Sequence, residues 1–170
     1  NGHIPNFRKS PHDQIDNYVK GCWEMIVETA KWAEKDLPGV LAKVKPDVVC
    51  VDNVILFPAI KRYAKDNKKP WVRIISCSEN EIEDPEIPPH LSGCGEKDKK
   101  GFARYRKRFN EVIKPIHDNF NAFLKSVGEK KYPIGQFFEA SPHMNILLYP
   151  SAVKFKRKHK LPAKQFQYLE

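Results

Sequence analysis

No stretch of this sequence approaches the roughly 18–20 consecutive apolar residues that a membrane helix needs. It has no signal-peptide pattern and no Asn-x-Ser/Thr sequon. The four cysteines, Cys22, Cys50, Cys77 and Cys94, are scattered, and no Cys-x-x-Cys occurs. A zinc site wants paired ligands at short spacing, so that chemistry is excluded. Glu79, Glu81, Glu83, Asp84 and Glu86 are close together, yet they lack the spacing and central glycine of an EF-hand loop. No internal repeat and no known nucleophile motif is present. The expectation is a soluble, cytoplasmic protein with reduced thiols, no bound metal and no cofactor of its own. Position 1 is Asn rather than Met, which points to a processed chain or a piece of something longer.

What is present is a globular composition: 41% of the 170 residues are hydrophobic, enough for one domain with a real core. The formal net charge of +9 is unevenly placed. Residues 1–96 hold 13 Lys/Arg against 15 Asp/Glu, and residues 97–170 hold 17 against 6. The runs KDKKGFARYRKR (97–108) and KFKRKHK (154–160) carry most of the excess. Such runs can mark nucleic-acid contact, but Phe102 and Tyr105 interleave the first at helical spacing, as on the wet side of an amphipathic helix.

Ser10-Pro11-His12-Asp13 reads as a helix start. Ile15, Tyr18, Val19, Cys22, Ile26, Ala30, Ala33 and Leu37 then recur every three or four residues, which predicts a helix over 13–36. Pro38-Gly39 should interrupt it before a shorter helical stretch at 40–44. DVVCVD (47–52) is too apolar to alternate, the pattern of a strand covered on both faces. A helix over 57–65 and a second strand, WVRIIS (71–76), complete a strand–helix–strand unit with parallel strands. Residues 77–97 are too rich in Pro and Gly for regular structure. A second long helix is expected over 98–127, kinked or split at Pro115 and ended by Gly128, then a third strand at 145–149. The basic last twenty residues read as an exit from the domain. The fold class is therefore α/β, a Rossmann-like parallel sheet flanked by helices and helix-rich, as one domain over 1–170 with 151–170 beginning an exit or interdomain linker.

In an open parallel sheet, ligands collect beyond the carboxyl ends of the strands. Asp52-Asn53, Ser76 through Glu79, and Pro150-Ser151 stand there. A carboxylate closing an apolar strand can orient a histidine and stabilise its imidazolium. It can equally cap the helix that follows, and spacing alone favours the cap.

The stretch KPDVVCVDNVILFPAIKRYAKDNKKPWVRI (45–74) resembles the middle of the N-terminal domain of UDP-sugar-dependent glycosyltransferases, the inverting family with the two-domain GT-B fold. The Pro-rich IPPHLSGC (87–94), FNAFLKSVG (120–128) and SPHMNILLYPSAVKF (141–155) follow in the family's order, so the resemblance covers nearly all of 40–170. It implies transfer of a hexosyl group from a UDP-sugar to a hydroxyl of a small lipophilic acceptor, with a histidine as general base. Asp52 matches the aspartate that orients this base. Asn53, Phe57, Ser78, Glu79 and His90 would help form the acceptor pocket. The UDP-sugar would be a co-substrate held mainly by a C-terminal donor domain, the partner this chain would need, and nucleic acid is not expected. Gly2-His3-Ile4-Pro5 departs from the family's Gly-His-x-x-Pro turn: its proline comes one residue early, so His3 is not assigned as the base. The resemblance thus implies most of an acceptor domain, inactive by itself. The competing reading is a non-catalytic interaction domain whose basic surface binds nucleic acid or an acidic partner.

Overall fold

The computed structural model describes residues 4–52 and 55–170. A 3-10 turn at Ile4–Arg8 leads into the helix start expected at Ser10, whose Oγ accepts the backbone N–H of Asp13 at 3.2 Å with Pro11 in the first turn. Helical structure then runs unbroken through α1 (Pro11–Gln14), a π-helical turn (Ile15–Val19) and α2 (Lys20–Val44). Pro38 therefore does not interrupt α2, nor does Pro115 split α4 (Lys99–Ser126). Both prolines are solvent-exposed, so the carbonyl each would have engaged can turn to water while the inner face stays packed. Lys45, in the left-handed region at φ 52°, ends α2.

The sheet contains β1 (Val49–Asp52), β2 (Trp71–Ile75), β3 (Met144–Leu147) and β4 (Phe166–Tyr168) in the spatial order 1-2-3-4, all parallel. α3 (Pro58–Asp66) connects β1 to β2, and the 77–98 loop with α4 connects β2 to β3. Residues 151–170, read from sequence as the start of an exit, thus contain a strand, which pairs Asn145 with Phe166 and Leu147 with Tyr168.

Register sets which side chains share a face. Val49 and Val51 lie beside Trp71 and Arg73; Arg73 and Ile75 lie beside Asn145 and Leu147. This face is covered. Trp71 joins Leu41 of α2 and Ala59, Ile60 and Ala64 of α3, while Ile75, Leu147 and Phe166 form a second cluster. The opposite face carries Cys50, Asp52, Val72, Ile74, Met144 and Ile146, all exposed or half-buried. The expectation that β1 is covered on both faces is corrected accordingly: Val49 and Val51 are half-buried, whereas Cys50 is exposed. β1 is a sheet edge, and Cys50 and Asp52 on its second face are exposed.

The main core lies where α2 and α4 pack together. Val27, Ile113, Ile116, Phe120 and Leu124 enclose Phe137, with Trp23 stacked on Phe137 at 4.0 Å between ring centroids. Burying a side chain such as Phe120, fully inaccessible, stabilises by about 2–3 kcal/mol.

Candidate functional site

Asp52 ends β1 exposed, and its Oδ1 accepts the Ser76 hydroxyl at 2.8 Å. It does not cap the next helix. α3 starts at Pro58 with Phe57 in the cap position and no side-chain cap bond there. The carboxylate at this helix start comes from α2: Glu34, 8% exposed, accepts the Ala59 N–H on Oε2 at 2.9 Å and the Arg62 guanidinium on Oε1. The buried cap was hidden in sequence because its carrier lies 25 residues upstream, on a helix face that otherwise reads as apolar.

The breaker-rich loop after β2 is held firmly from both sides. Ser78 and Glu81 form a capping box around the turn Glu79–Glu81, with Glu81 Oε1 accepting the N–H groups of Cys77 and Ser78 at 3.1 Å each. From α4, Arg106 donates to Glu83 at 2.7 Å and to the carbonyls of Asp84 and Ile87 at 2.9 and 3.1 Å. From the basic tail, Arg157 donates to Glu79 Oε1 at 3.2 Å and to the carbonyls of Ile82 and Glu83. Asp84 accepts backbone N–H groups of Glu86, Lys158 and His159. Burial pushes the Asp84 carboxyl up, but these three donors and Arg157 outweigh it and hold it below its ordinary value. The acidic cluster is thereby spent on internal bonding, and among the described residues no group of His, Cys, Asp and Glu side chains is arranged to hold a metal.

Beneath this loop, between α4 and residues 133–140, lies a cavity of about 440 Å³. Its walls are largely aromatic and apolar: Trp23, Leu91, Phe109, Ile134, Phe137 and Phe138. Its polar lining includes Arg73, Glu81, His90 and Tyr105. Asn80, Glu83, Arg106, Asn110, Gln136 and Glu139 add further polar side chains to the lining, and a concavity of this size with apolar walls and converging polar groups is the usual build of a small-molecule site. A wider groove of about 590 Å³ between α2 and α3 is lined by surface side chains such as Lys45, Asp66 and Lys69 and has no comparable enclosure.

The polar groups of the cavity have distinct environments. His90 Nδ1 lies 3.1 Å from Asn80 Oδ1; an amide oxygen only accepts, so Nδ1 carries the proton and Nε2 keeps its lone pair. Burial pulls the His90 pKa down against the opposing pull of Glu81, so the ring is neutral near pH 7. Burial also pushes the Tyr105 phenol up to about 12, and its hydroxyl has no hydrogen-bond partner among the described residues. Arg73 is 2% exposed, its guanidinium 3.3 Å from the Phe138 ring centroid.

The sequence-predicted site residues are thus dispersed. His90 lines the cavity. Ser78 caps the turn, and Glu79, 2% exposed, is taken up by Arg157 and by the Phe155 N–H at 3.1 Å. Phe57 packs against the helical core and lines a small void of about 20 Å³ beside Arg73. Asp52 is not in the cavity lining and shares the uncovered sheet face with Ile74, its register partner. Asn53 and His3 lie outside the described residues. Arg73 and Tyr105 were missed. Arg73 had a signal, a lone cation inside the apolar strand WVRII; Tyr105 looked like one more residue on an amphipathic stripe.

No protein-family model matches this chain, and no curated protein matches it either.

Proposed function

We propose that the chain is the acceptor-binding part of an inverting, GT-B-type glycosyltransferase that moves a hexosyl group from a UDP-sugar to a hydroxyl of a small lipophilic acceptor. The observation that carries this reading is the 440 Å³ aromatic cavity under the loop that follows β2. It opens beside the parallel sheet, with Arg73 of β2 and Asn80–Glu83 of the loop after that strand in its lining, and the loops that follow the strands of such sheets commonly bind ligands. Neutral His90 can accept a hydrogen bond from an acceptor hydroxyl, and Trp23, Phe109 and Phe137 offer apolar surface to an aromatic or alicyclic body.

Asp52 supports the same reading from another side. It is an exposed strand-end carboxylate that does not cap α3 and accepts the Ser76 hydroxyl at 2.8 Å. In the complete enzyme it would orient the histidine that takes the acceptor proton. The acceptor oxygen then attacks the anomeric carbon from the face opposite UDP, and the leaving UDP is held by the donor domain. The edge position of β1 and the uncovered face bearing Asp52 leave room for the strand and loop that would present such a histidine. Against the alternative of a nucleic-acid surface, three arginines of the basic runs, Arg106, Arg108 and Arg157, are paired with Glu83, Asp16 and Glu79.

Calorimetry and Trp fluorescence test the proposal on the chain itself. The expected result is weak, saturable binding of a neutral aryl alcohol such as 2-naphthol and no detectable binding of UDP-glucose. Micromolar affinity for UDP-glucose, or no response to any aryl alcohol, would overturn it.

A further inference from the structure

The feature left unexplained is Arg73. It sits in the centre of β2 on the covered face, 2% exposed, with Val51 and Asn145 as its register neighbours. A buried guanidinium ordinarily has its N–H groups satisfied, because leaving a charge unpaired away from water is costly. Among the described residues Nε and Nη1 have no acceptor. The nearest carboxylate, Glu81, reaches only Nη2, at 3.4 Å, with its Oε2, while its Oε1 accepts two backbone N–H groups of the capping box. The other acids of the lining have partners of their own: Glu83 is paired with Arg106 at 2.7 Å and Glu139 with Lys61 at 2.6 Å. Phe138 covers one face of the guanidinium, so an acceptor must approach in the plane of its N–H bonds. Tyr105, also lining the cavity and 3% exposed, has a hydroxyl without a partner among the described residues.

From this we infer that the cavity takes amphipathic ligands bearing a carboxylate, anchored on Arg73 with Tyr105 as a second donor, and an aromatic body against Trp23, Phe109 and Phe137. The inference rests on the acceptor-site reading and narrows it: the carboxylate is the handle by which the acceptor is held, not the group that is glycosylated. A carboxylate is the ligand chemistry that fits, because a guanidinium offers planar donors and gains most from a charged, planar acceptor. Burial draws the guanidinium pKa down to about 10 despite Glu81, as expected of a cation whose partner is incomplete.

The test uses three probes of one shape: 6-hydroxy-2-naphthoic acid, its primary amide, and 2-naphthol, each titrated against the whole chain at pH 7 and followed by fluorescence and calorimetry. The acid should bind the unmodified protein at least about tenfold more tightly than the amide, since a charge-assisted bond outweighs a neutral one by that order. Arg73→Met should remove this preference while leaving 2-naphthol binding within about threefold, the neutral body depending on the aromatic walls. Tyr105→Phe should weaken the acid by severalfold. Should Arg73→Met fold poorly because Glu81 is left unpaired, Arg73→Met/Glu81→Gln removes both members and serves in its place. Equal affinity for acid and amide in the unmodified protein, with 2-naphthol bound, overturns the carboxylate anchor and leaves the acceptor reading standing. Failure of all three probes overturns both.

Discussion

Glu34 offers the sharpest check on how α3, and with it the base of the sheet, is held. Glu34→Ala removes the acceptor for the Ala59 N–H, which lies inside the first turn of α3 and is buried. Loss of a helix cap costs about 1 kcal/mol. Loss of a negative charge at a partly buried helix N-terminus costs about 0.5–1 kcal/mol more. The Arg62 pair adds at most a few tenths of a kcal/mol, because Arg62 is 39% exposed and solvent screens it. The sum is about 2 kcal/mol, which in a chain of this length lowers the melting temperature by about 4–8 °C. Glu34→Gln keeps an oxygen for the Ala59 N–H and should lose only about half as much. Thermal unfolding by circular dichroism, with urea midpoints for confirmation, resolves both. An alanine variant that melts within a degree of the parent refutes the cap. A glutamine variant that falls as far as alanine would show that charge, and not the hydrogen bond, holds the helix.

Four further expectations concern the tail, the loop, α4 and the end of β1. Arg157→Ala strands Glu79, which is 2% exposed, and should cost about 3–5 kcal/mol; Arg157→Met/Glu79→Gln should recover much of it in urea titrations. Asp84, held below its ordinary value when folded, contributes stability that is fully present above about pH 4 and is lost as pH falls through its lower folded value. Urea midpoints from pH 6 downward should therefore fall less steeply for Asp84→Asn, and equal slopes refute the assignment. Gly101→Ala would ordinarily strengthen a helix, yet a Cβ there collides with the Asp98 carboxylate that caps α4 through the Gly101 N–H at 2.8 Å, so a loss of about 1 kcal/mol is expected; a gain in melting temperature contradicts it. Asp52→Asn should leave the melting temperature unchanged, since its side chain is exposed and bonded to Ser76; under the proposed function it should lower turnover of a complete glycosyltransferase about 10²–10³-fold, and full turnover would refute the role proposed for Asp52.

Local signals in the chain were enough for the elements that obey local rules. Ser10-Pro11 starts a helix because its cap and first turn are satisfied within four residues. Of the 3.6-residue stripe expected on α4, Phe102, Tyr105, Ile113, Ile116 and Phe120 are buried, while Phe109, Phe123 and Val127 are half-buried and Leu124, outside the expected stripe, is buried. VCVD and WVRII are strands in parallel pairing, and NILL is nearly so, with β3 starting at Met144. The order of these elements was sufficient for an α/β assignment with a parallel sheet.

Tertiary structure decided what depended on neighbours distant in sequence. Pro38 and Pro115 stay within helices because the packing of their inner faces outweighs one lost hydrogen bond each, and both point to water. Cys50 is exposed because β1 is an edge strand covered on one side. Phe166–Tyr168 has too little pattern to announce a strand and becomes one by pairing with β3. The candidate site was the least legible, since its parts come from α2, β2, the long loop, α4 and residues 133–140. His90 could be named from its loop. Whether the guanidinium of Arg73 and the hydroxyl of Tyr105 find partners depends on every atom within about 3.5 Å of them, and the sequence specifies those atoms only through the fold it adopts.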